Sequence, residues 1–399
     1  MEQQANTSHF ILHLPKWYPS KADPQLGVFI KKQIVAVSGL YKNIIIYPSK
    51  SSDCIKKYEV EMSEDSGILC IIINYREFSH DGHPLKKIVN GIRYYKALLK
   101  GNKTLIKEKG KPDLVHVHVL LRLGIFAYYY WIVKKVPYVI SEHWSGYVDG
   151  KFGSKTFLYK FILRYVARKA KAIISVTELL KNAMISNNVR NNDFYVVPNV
   201  INKPEVNENN LKRISNELQI LTVADLVDEI KNISGILKAL SKVKNHIKSF
   251  RYHLIGDGED RELLISLSKV LGLDGKVEFH GQKSNEFVHD FIREIDFLVV
   301  NSNVETFSIV TAEALIHGKP VIGTICGGPE MFINDKNGIL IHPGNQLELQ
   351  NALIRMADSF MDYDEKVISG SIDEKYNSEK IAEKLVNIYS SILNKQTNN

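Results

Sequence analysis

The chain has 399 residues, 44% of them hydrophobic and 24% charged, with a formal net charge of +8. That balance excludes disordered, fibrous and low-complexity classes and leaves room for two or three globular domains with sizeable cores. The longest apolar run, Ile125–Val133, is too short to span a bilayer. Cys54, Cys70 and Cys326 lie far apart without CxxC spacing, which argues against a disulfide framework or a zinc site. The opening MEQQANTSHF has no basic stretch leading into an apolar one, so no secretory signal is read and a cytoplasmic location is expected.

Along the first half, short runs rich in Ile and Val alternate with helical stretches: Phe10–Leu14, Asn43–Tyr47, Leu69–Asn74, Leu114–His118, Tyr138–Ser141, Ala172–Val176 and Phe194–Val197. Two intervening segments are strongly basic. Leu85–Lys111 has nine basic residues and one acid, with Ile88, Ile92, Tyr95 and Leu99 at helical steps. Lys151–Lys171 has seven basic residues and no acid, with Phe157, Phe161 and Tyr165 interleaved among Lys160, Arg164 and Arg168. Such helices either pack their apolar stripe into the core with solvated lysines outside, or lie on an anionic membrane. Residues 1–199 hold 30 Lys+Arg against 15 Asp+Glu, and the remainder 22 against 29. No recognition motif for nucleic acid accompanies the charge, so no nucleic-acid partner is expected. His116 and His118 alternate onto one strand face, but a metal there needs a third ligand that the sequence does not identify.

Pro198–Leu211, PNVINKPEVNENNL, is polar and aperiodic and reads as an interdomain connection. The pattern then restarts with Gln219–Ala224, Tyr252–Gly256, Val277–His280, Phe297–Val300, Pro320–Gly323 and Gly338–Ile341. Continuous apolar strands separated by helices imply parallel sheets covered on both faces by right-handed crossovers. The expectation is an α/β chain of two Rossmann-like domains facing across a cleft, residues 1–200 and 201–377. A C-terminal helix at about 378–396 could pack back onto the first. Ligands in such sheets sit beyond the strand C-termini, so chemistry is sought in those loops.

NSNVETFSIVTAEALIHGKP, residues 301–320, follows strand Phe297–Val300 and reads as a loop to Glu305 and a helix over Thr306–Ile316. At about 100° and 1.5 Å per residue, Glu313 lies roughly 80° around and about 12 Å along that helix from Glu305. The pair is too far apart to share a proton and wider than an inverting glycosidase pair. It suits an elongated ligand held at two points, with the N–H groups of Phe307 and Ser308 at the helix start for a phosphate. A nucleotide-sugar has that layout, since a carboxylate accepts well from neighbouring hydroxyls. Spacing alone equally admits Glu305 as a helix-dipole cap and Glu313 as a solvated side chain.

Residues 304–345, VETFSIVTAEALIHGKPVIGTICGGPEMFINDKNGILIHPGN, resemble the donor-binding region of glycosyltransferase family 4, retaining enzymes of the GT-B fold. ILHLPKWYPSKADPQLGVFIKKQ, PDLVHVHVL, VISEHWSGY, VVPNV, IGDGEDRELL and FHGQ agree with it in order, so the resemblance covers nearly the whole chain. It implies that Glu305 contacts donor-sugar hydroxyls near the reacting carbon and that Glu313 contacts the ribose. Lys231, in VADLVDEIKN, would neutralise the diphosphate, and His143, in SEHWSGY, would lie near the transferred sugar. A cation just ahead of the apparent helix Ile233–Val243 opposes its dipole, so helix stability gives Lys231 no reason to be there. Gly27 matches a small residue beside the diphosphate and acceptor. Gly327 and Gly328, followed by Glu330, form a turn that permits close backbone approach. Gly256 and Gly258 are turn-formers near the base, and Asn199 in PNV could equally be a turn residue.

Two positions depart from the family. Ala224-Asp225-Leu226 stands where the family usually has Gly-Arg-Leu, so Asp225 reverses the sign of a presumed phosphate contact, and with a unit pair worth about 4 kcal/mol as an upper guide the exchange is not neutral. Either the diphosphate relies on Lys231 and the helix start alone, or Asp225 binds a donor hydroxyl, or the protein is catalytically weak. Ser308 replaces a frequent glycine. The resemblance implies metal-independent, cofactor-free transfer with retention from a UDP- or GDP-linked sugar to a hydroxyl acceptor. The charge of the first half makes a lipid-linked saccharide of cell-surface polysaccharide or lipopolysaccharide synthesis the expected acceptor. The basic first half suggests peripheral contact at the inner face of the cytoplasmic membrane. The alternative is a non-catalytic sugar-nucleotide-binding scaffold of the same fold. A Rossmann oxidoreductase is disfavoured, because the first strand leads into PKWYPSKADPQLG rather than GxGxxG.

Overall fold

The computed structural model describes residues 9–397 apart from 21–22, 52–55, 79–84, 204–216 and 248. Residues 204–211 of the expected connection lie outside the described residues. The chain divides into two compact units, Met1–Val200 with Ile381–Asn399, and Ile201–Lys380.

The first unit holds β1 (Phe10–Pro15), β2 (Lys42–Lys50), β3 (Tyr58–Asp65), β4 (Ile68–Tyr75), β5 (Leu114–His118), β6 (Tyr138–Glu142), β7 (Ala172–Ser175) and β8 (Phe194–Val196). They form one sheet in the order β3-β4-β2-β1-β5-β6-β7-β8, parallel except for β3 against β4. β3, YEVEMSED, is the strand that apolar runs do not announce. It is a largely solvent-facing edge, where charge discourages pairing with another chain. The hairpin closes at Ser66 (φ 53°) and Gly67 (φ 73°), two left-handed residues whose turn matches the strand twist.

The helix Lys86–Lys109 corrects one reading of its apolar stripe. It buries Ala97, Leu98, Gly101 and Leu105, while Ile88, Ile92 and Leu99 are half exposed or more. Small residues decide this. A Cβ on Gly101 would come within 2.6 Å of Ile73 Cδ1, so the helix rests closely on the sheet at glycine and turns its larger side chains outward. The helix Phe157–Lys169 likewise buries Leu163, Val166 and Ala167 and leaves Phe157, Leu158 and Phe161 exposed. The far side of the sheet is closed by the helix Ser378–Thr397, whose Ile381, Leu385, Tyr389 and Ile392 pack with Ile11, Leu114, Val139 and Ile174.

The second unit holds β9 (Leu218–Val223), β10 (Phe250–Ile255), β11 (Val277–Gly281), β12 (Phe297–Val300), β13 (Val321–Thr324) and β14 (Gly338–Ile341). All are parallel, in the order β11-β10-β9-β12-β13-β14. Buried aliphatics of the helix Ile233–Val243, which include Ile236, Leu237 and Leu240, fill the core with Leu254, Val299 and Leu353. In each sheet the winding reverses once, between β1 and β5 and between β9 and β12. Loops leaving such adjacent strands diverge and leave room for a ligand.

Candidate active site

At the β9/β12 switch point, the loop after β9 ends in a short helix, Asp228–Lys231, and Lys231 Nζ lies 2.6 Å from Glu305 Oε1. Ser302 donates to the same oxygen at 2.9 Å. The loops are tied by the Asn303 N–H to the Ile230 carbonyl at 2.7 Å and by Asn301 Nδ2 to the Asn232 carbonyl at 2.9 Å. Two residues far apart in sequence, each singled out for a different part of one ligand, thus form an ion pair held in place by backbone.

The following helix starts at Ile309, not at Thr306, because Ser308 is left-handed (φ 62°, ψ 68°) and a right-handed helix cannot continue through it. Glu305 therefore stands in the loop, and the separation calculated along a continuous helix does not apply. The Thr311 and Ala312 N–H groups return to the Ser308 carbonyl, so the open donors of the first turn are those of Ile309 and Val310. Phe307 and Ser308 precede the helix. The Phe307 ring is buried against Phe332, with centroids 5.1 Å apart. The Ser308 conformation accounts for glycine being common there, and the serine hydroxyl is bonded to Thr311 Oγ1 at 2.8 Å.

Glu313 is 5% exposed, so its reading as a solvated side chain is corrected. His289 Nε2 lies 3.5 Å from its carboxylate, and His289 Nδ1 lies 3.0 Å from His317 Nε2. Burial, helped by neighbouring cations, lowers His317 to about 3 and keeps it neutral. Sequence reading missed this relay, since neither histidine belongs to a recognisable pattern.

The turn after β13 presses on Glu305. A Cβ on Gly328 would lie 2.9 Å from Glu305 Cβ and 2.7 Å from the Phe307 carbonyl carbon. Glu330 accepts the Cys326 and Gly327 N–H groups at 3.2 and 2.7 Å, and the Glu305 N–H donates to the Cys326 carbonyl at 3.2 Å. Gly256 and Gly258 fit against the loop after β9, where a Cβ would meet the Ala224 and Leu226 carbonyl oxygens at 1.9 and 2.5 Å. Asp225, between them, is exposed, and among the described residues its side chain makes no ion pair.

In the first unit, His143 follows β6. It is 7% exposed, its ring lies 5.1 Å from Phe29 and 6.2 Å from His118, and neither nitrogen has a partner among the described residues. Burial lowers it to about 3, so the imidazole is neutral. Next to it, His13 completes a group with His116 and His118 whose ligand atoms lie within 4.8 Å of one another. That third histidine was not identifiable from the sequence, although pairing of β1 with β5 sets His13 beside His116. Hydrogen bonds occupy most of their nitrogens: His13 to His118 at 3.1 Å and Asn43 at 2.8 Å, and His116 to Tyr389 at 2.6 Å and Ser141 at 2.7 Å. Glu142, also missed, is fully buried and accepts the N–H groups of Leu120, His143 and Trp144 at 3.0 to 3.1 Å. Burial raises its pKa against those bonds. Gly27 is left-handed (φ 74°), and a Cβ there would lie 2.3 Å from the Trp17 carbonyl oxygen. Asn199 is buried and accepts from Gln33 Nε2 at 3.3 Å, so it packs as well as turns.

Residues 205–365 match the family model of glycosyl transferases group 1, and residues 68–203 that of glycosyltransferase family 4. N-acetyl-alpha-D-glucosaminyl L-malate synthase of Bacillus anthracis is 23% identical over 316 residues, 76% of this chain and 81% of that protein. Lipopolysaccharide 1,6-galactosyltransferase of Escherichia coli K12 is 30% identical over 152 residues, 37% of this chain and 42% of that one. The crystal structure of Anabaena HepE in complex with UDP-glucose matches with a TM-score of 0.69 at 16% identity, covering 96% of this chain and 99% of that chain. The two units are accordingly the Rossmann-like domains of a GT-B fold, and the chain belongs to the group 1/family 4 retaining glycosyltransferases, enzymes of the hexosyltransferase type that use nucleotide-sugars.

Proposed function

We propose that this chain transfers a sugar from a UDP- or GDP-linked donor to a hydroxyl of a saccharide or lipid-linked saccharide, with retention and without a metal. The observation that carries this reading is the Lys231–Glu305 contact at the β9/β12 switch point, closed over by Gly328. When donor binds, Lys231 exchanges the carboxylate for the diphosphate. As the bond from the anomeric carbon to the diphosphate oxygen breaks, negative charge grows on that oxygen. Lys231 and the backbone N–H groups of the segment from Phe307 through the first helical turn stabilise it. Glu305, released, accepts hydroxyls of the donor sugar. Glu313, backed by His289, accepts those of the ribose. Gly256 and Gly258 admit the base, and Gly327 lets backbone approach the sugar. Asp225, exposed and without an ion pair among the described residues, takes no part in this, which leaves the lysine and the helix start to hold the diphosphate. In the first unit, His143 offers a neutral imidazole, both nitrogens buried and without a partner among the described residues, for a substrate hydroxyl, and Gly27 leaves space for the acceptor.

No helix among the described residues is long and apolar enough to cross a membrane. The outward stripes of Lys86–Lys109 and Phe157–Lys169, apolar and basic together, support peripheral contact with an anionic bilayer. Flotation with neutral and anionic liposomes tests that contact. A melting-temperature panel of nucleotide-sugars tests the donor, since a ligand at a hundred times its dissociation constant stabilises by about 2.7 kcal/mol. Stabilisation without release of nucleoside diphosphate would favour the non-catalytic scaffold, to which the exposed Asp225 is the one pointer.

A further inference from the structure

The β1/β5 switch point of the first unit carries a cavity of about 630 Å³. Its walls come from the C-terminal ends of β1, β2, β4, β5 and β6 and from the helices Lys86–Lys109, Leu121–Tyr129 and Phe157–Lys169. The floor is strained: Val119, β-branched and fully buried, is left-handed (φ 75°) and is pinned by its N–H to the Ser141 carbonyl at 2.7 Å. Such an outlier costs on the order of 1–3 kcal/mol and persists where the surroundings fix it, commonly at binding sites.

Three cations converge on aromatic faces in this cavity. Lys16 Nζ lies 4.5 Å from the Trp17 ring centre and 5.8 Å from that of Trp144. Lys155 Nζ lies 5.9 Å from Trp144, and the Arg122 guanidinium 5.8 Å from Tyr94. Among the described residues none of the three has an ion-pair partner. Lys50, also in the wall, is different, since Glu77 pairs with it at 2.8 Å. The acids nearby are partly engaged by backbone: Asp23 Oδ1 accepts the N–H groups of Gln25 and Leu26, each at 3.1 Å, and both oxygens of Glu142 accept backbone N–H groups. Burial depresses the Lys16 pKa; Glu142 opposes this, and the Arg122 and Lys155 charges add to it. Lys16, Arg122 and Lys155 outnumber the two carboxylates beside them, Glu142 and Asp23, and an anionic ligand would supply the remaining counter-charge at this half-enclosed site. The aromatic walls suit the apolar face of a sugar ring.

We propose that this cavity is the acceptor site and that it takes a saccharide bearing an anionic group, a phosphate or carboxylate, held by Lys16, Arg122 and Lys155 against Trp17 and Trp144. The proposal rests on the glycosyltransferase reading. Two of the three tryptophans, Trp17 and Trp144, line the cavity, so fluorescence of a Trp131→Phe background reports its occupancy.

The test titrates that variant with glucose, glucose 6-phosphate, glucuronate and vesicles of phosphatidylcholine with and without phosphatidylglycerol. At least one anionic probe should bind about tenfold more tightly than glucose. Arg122→Gln combined with Lys155→Gln should lose about that factor, and Arg122→Lys should restore part of it. A response to a free anionic sugar assigns the site to soluble acceptors, whereas one confined to phosphatidylglycerol vesicles assigns it to a lipid-borne phosphate. Equal affinity for glucose, no saturable response to any anionic probe, or an undiminished response in the double variant would overturn the proposal. The nucleotide-sugar melting panel on the same proteins checks folding and keeps the two readings separable. Loss of donor stabilisation in the wild type refutes the glycosyltransferase reading, whereas intact donor stabilisation with no anion preference refutes only the cavity assignment.

Discussion

The two switch points share one backbone geometry and carry opposite chemistry. At β9/β12 the site is built from backbone, glycines and carboxylates, and its lysine is already paired, Lys231 with Glu305; in the proposed function a diphosphate displaces that carboxylate. At β1/β5 it is built from large side chains, with three cations, Lys16, Arg122 and Lys155, that make no ion pair among the described residues, and histidines kept neutral by burial. A site whose ligand carries two phosphates can hold its cation in reserve on a neighbouring acid. A site left with excess positive charge implies a ligand that brings the complement.

The largest expected effect breaks that lysine–carboxylate pair. Glu305→Ala should abolish nucleoside diphosphate release, and Lys231→Ala should lower kcat by about 10²–10³. Near-wild-type turnover in both would remove the β9/β12 site from the chemistry.

Next in size is the acid sensitivity that the buried histidines of the first unit confer, a property His253 and His317 share in the second. Burial lowers His13 to about 4 and His143 to about 3, and His116 and His118 well below their ordinary value of 6.5. Below about pH 6.5 the unfolded chain binds protons that the folded one refuses, so stability falls as pH falls. The loss is about 1.4 kcal/mol per histidine per pH unit until the folded pKa is reached. All three tryptophans, Trp17, Trp131 and Trp144, lie in the first unit, so fluorescence-detected urea midpoints at about pH 7 and about pH 5 report on it. Midpoints unchanged across that interval would show that these rings are not kept neutral by the fold.

A smaller effect separates the two glutamates. Glu313→Ala should weaken nucleotide-sugar affinity about tenfold with kcat little changed, as expected for loss of a charge-assisted bond remote from the reacting carbon. A collapse of kcat with unchanged affinity would move Glu313 to the reaction centre. Smallest is Ser308→Gly, which relieves a left-handed serine and should stabilise by about 1 kcal/mol, less whatever the Thr311 bond contributes. A fall in melting temperature would mean the hydroxyl bond outweighs the backbone strain.

Legibility followed the same divide. The β9/β12 site is written mostly in contiguous stretches, 224–231, 301–313 and 327–330, each the loop after one strand, and period and punctuation expose such loops. The parallel sheets were readable because their strands are continuous apolar runs. β3 was not, because an exposed charged edge strand has no such run. The start at Ile309 was misjudged because serine gives no warning of a left-handed backbone where glycine would have. The β1/β5 cavity draws Lys16, Tyr94, Arg122, Trp144 and Lys155 from separate elements, and only the strand order brings them together. His13 was hidden for the same reason, since its partner strand β5 comes after three others in the chain.

The helix Ser378–Thr397 gives the chain an unusual order of completion. Its Tyr389 hydroxyl bonds His116 beneath the buried histidine row, and its aliphatic side chains close one face of the sheet formed by the earliest strands. On the ribosome, β1 to β8 emerge before any residue of the second unit, yet their core stays open on that face until residues 381–393 follow. The unit synthesised first is therefore the one finished last, and a ribosome stalled anywhere in the second unit leaves His116 without its Tyr389 partner.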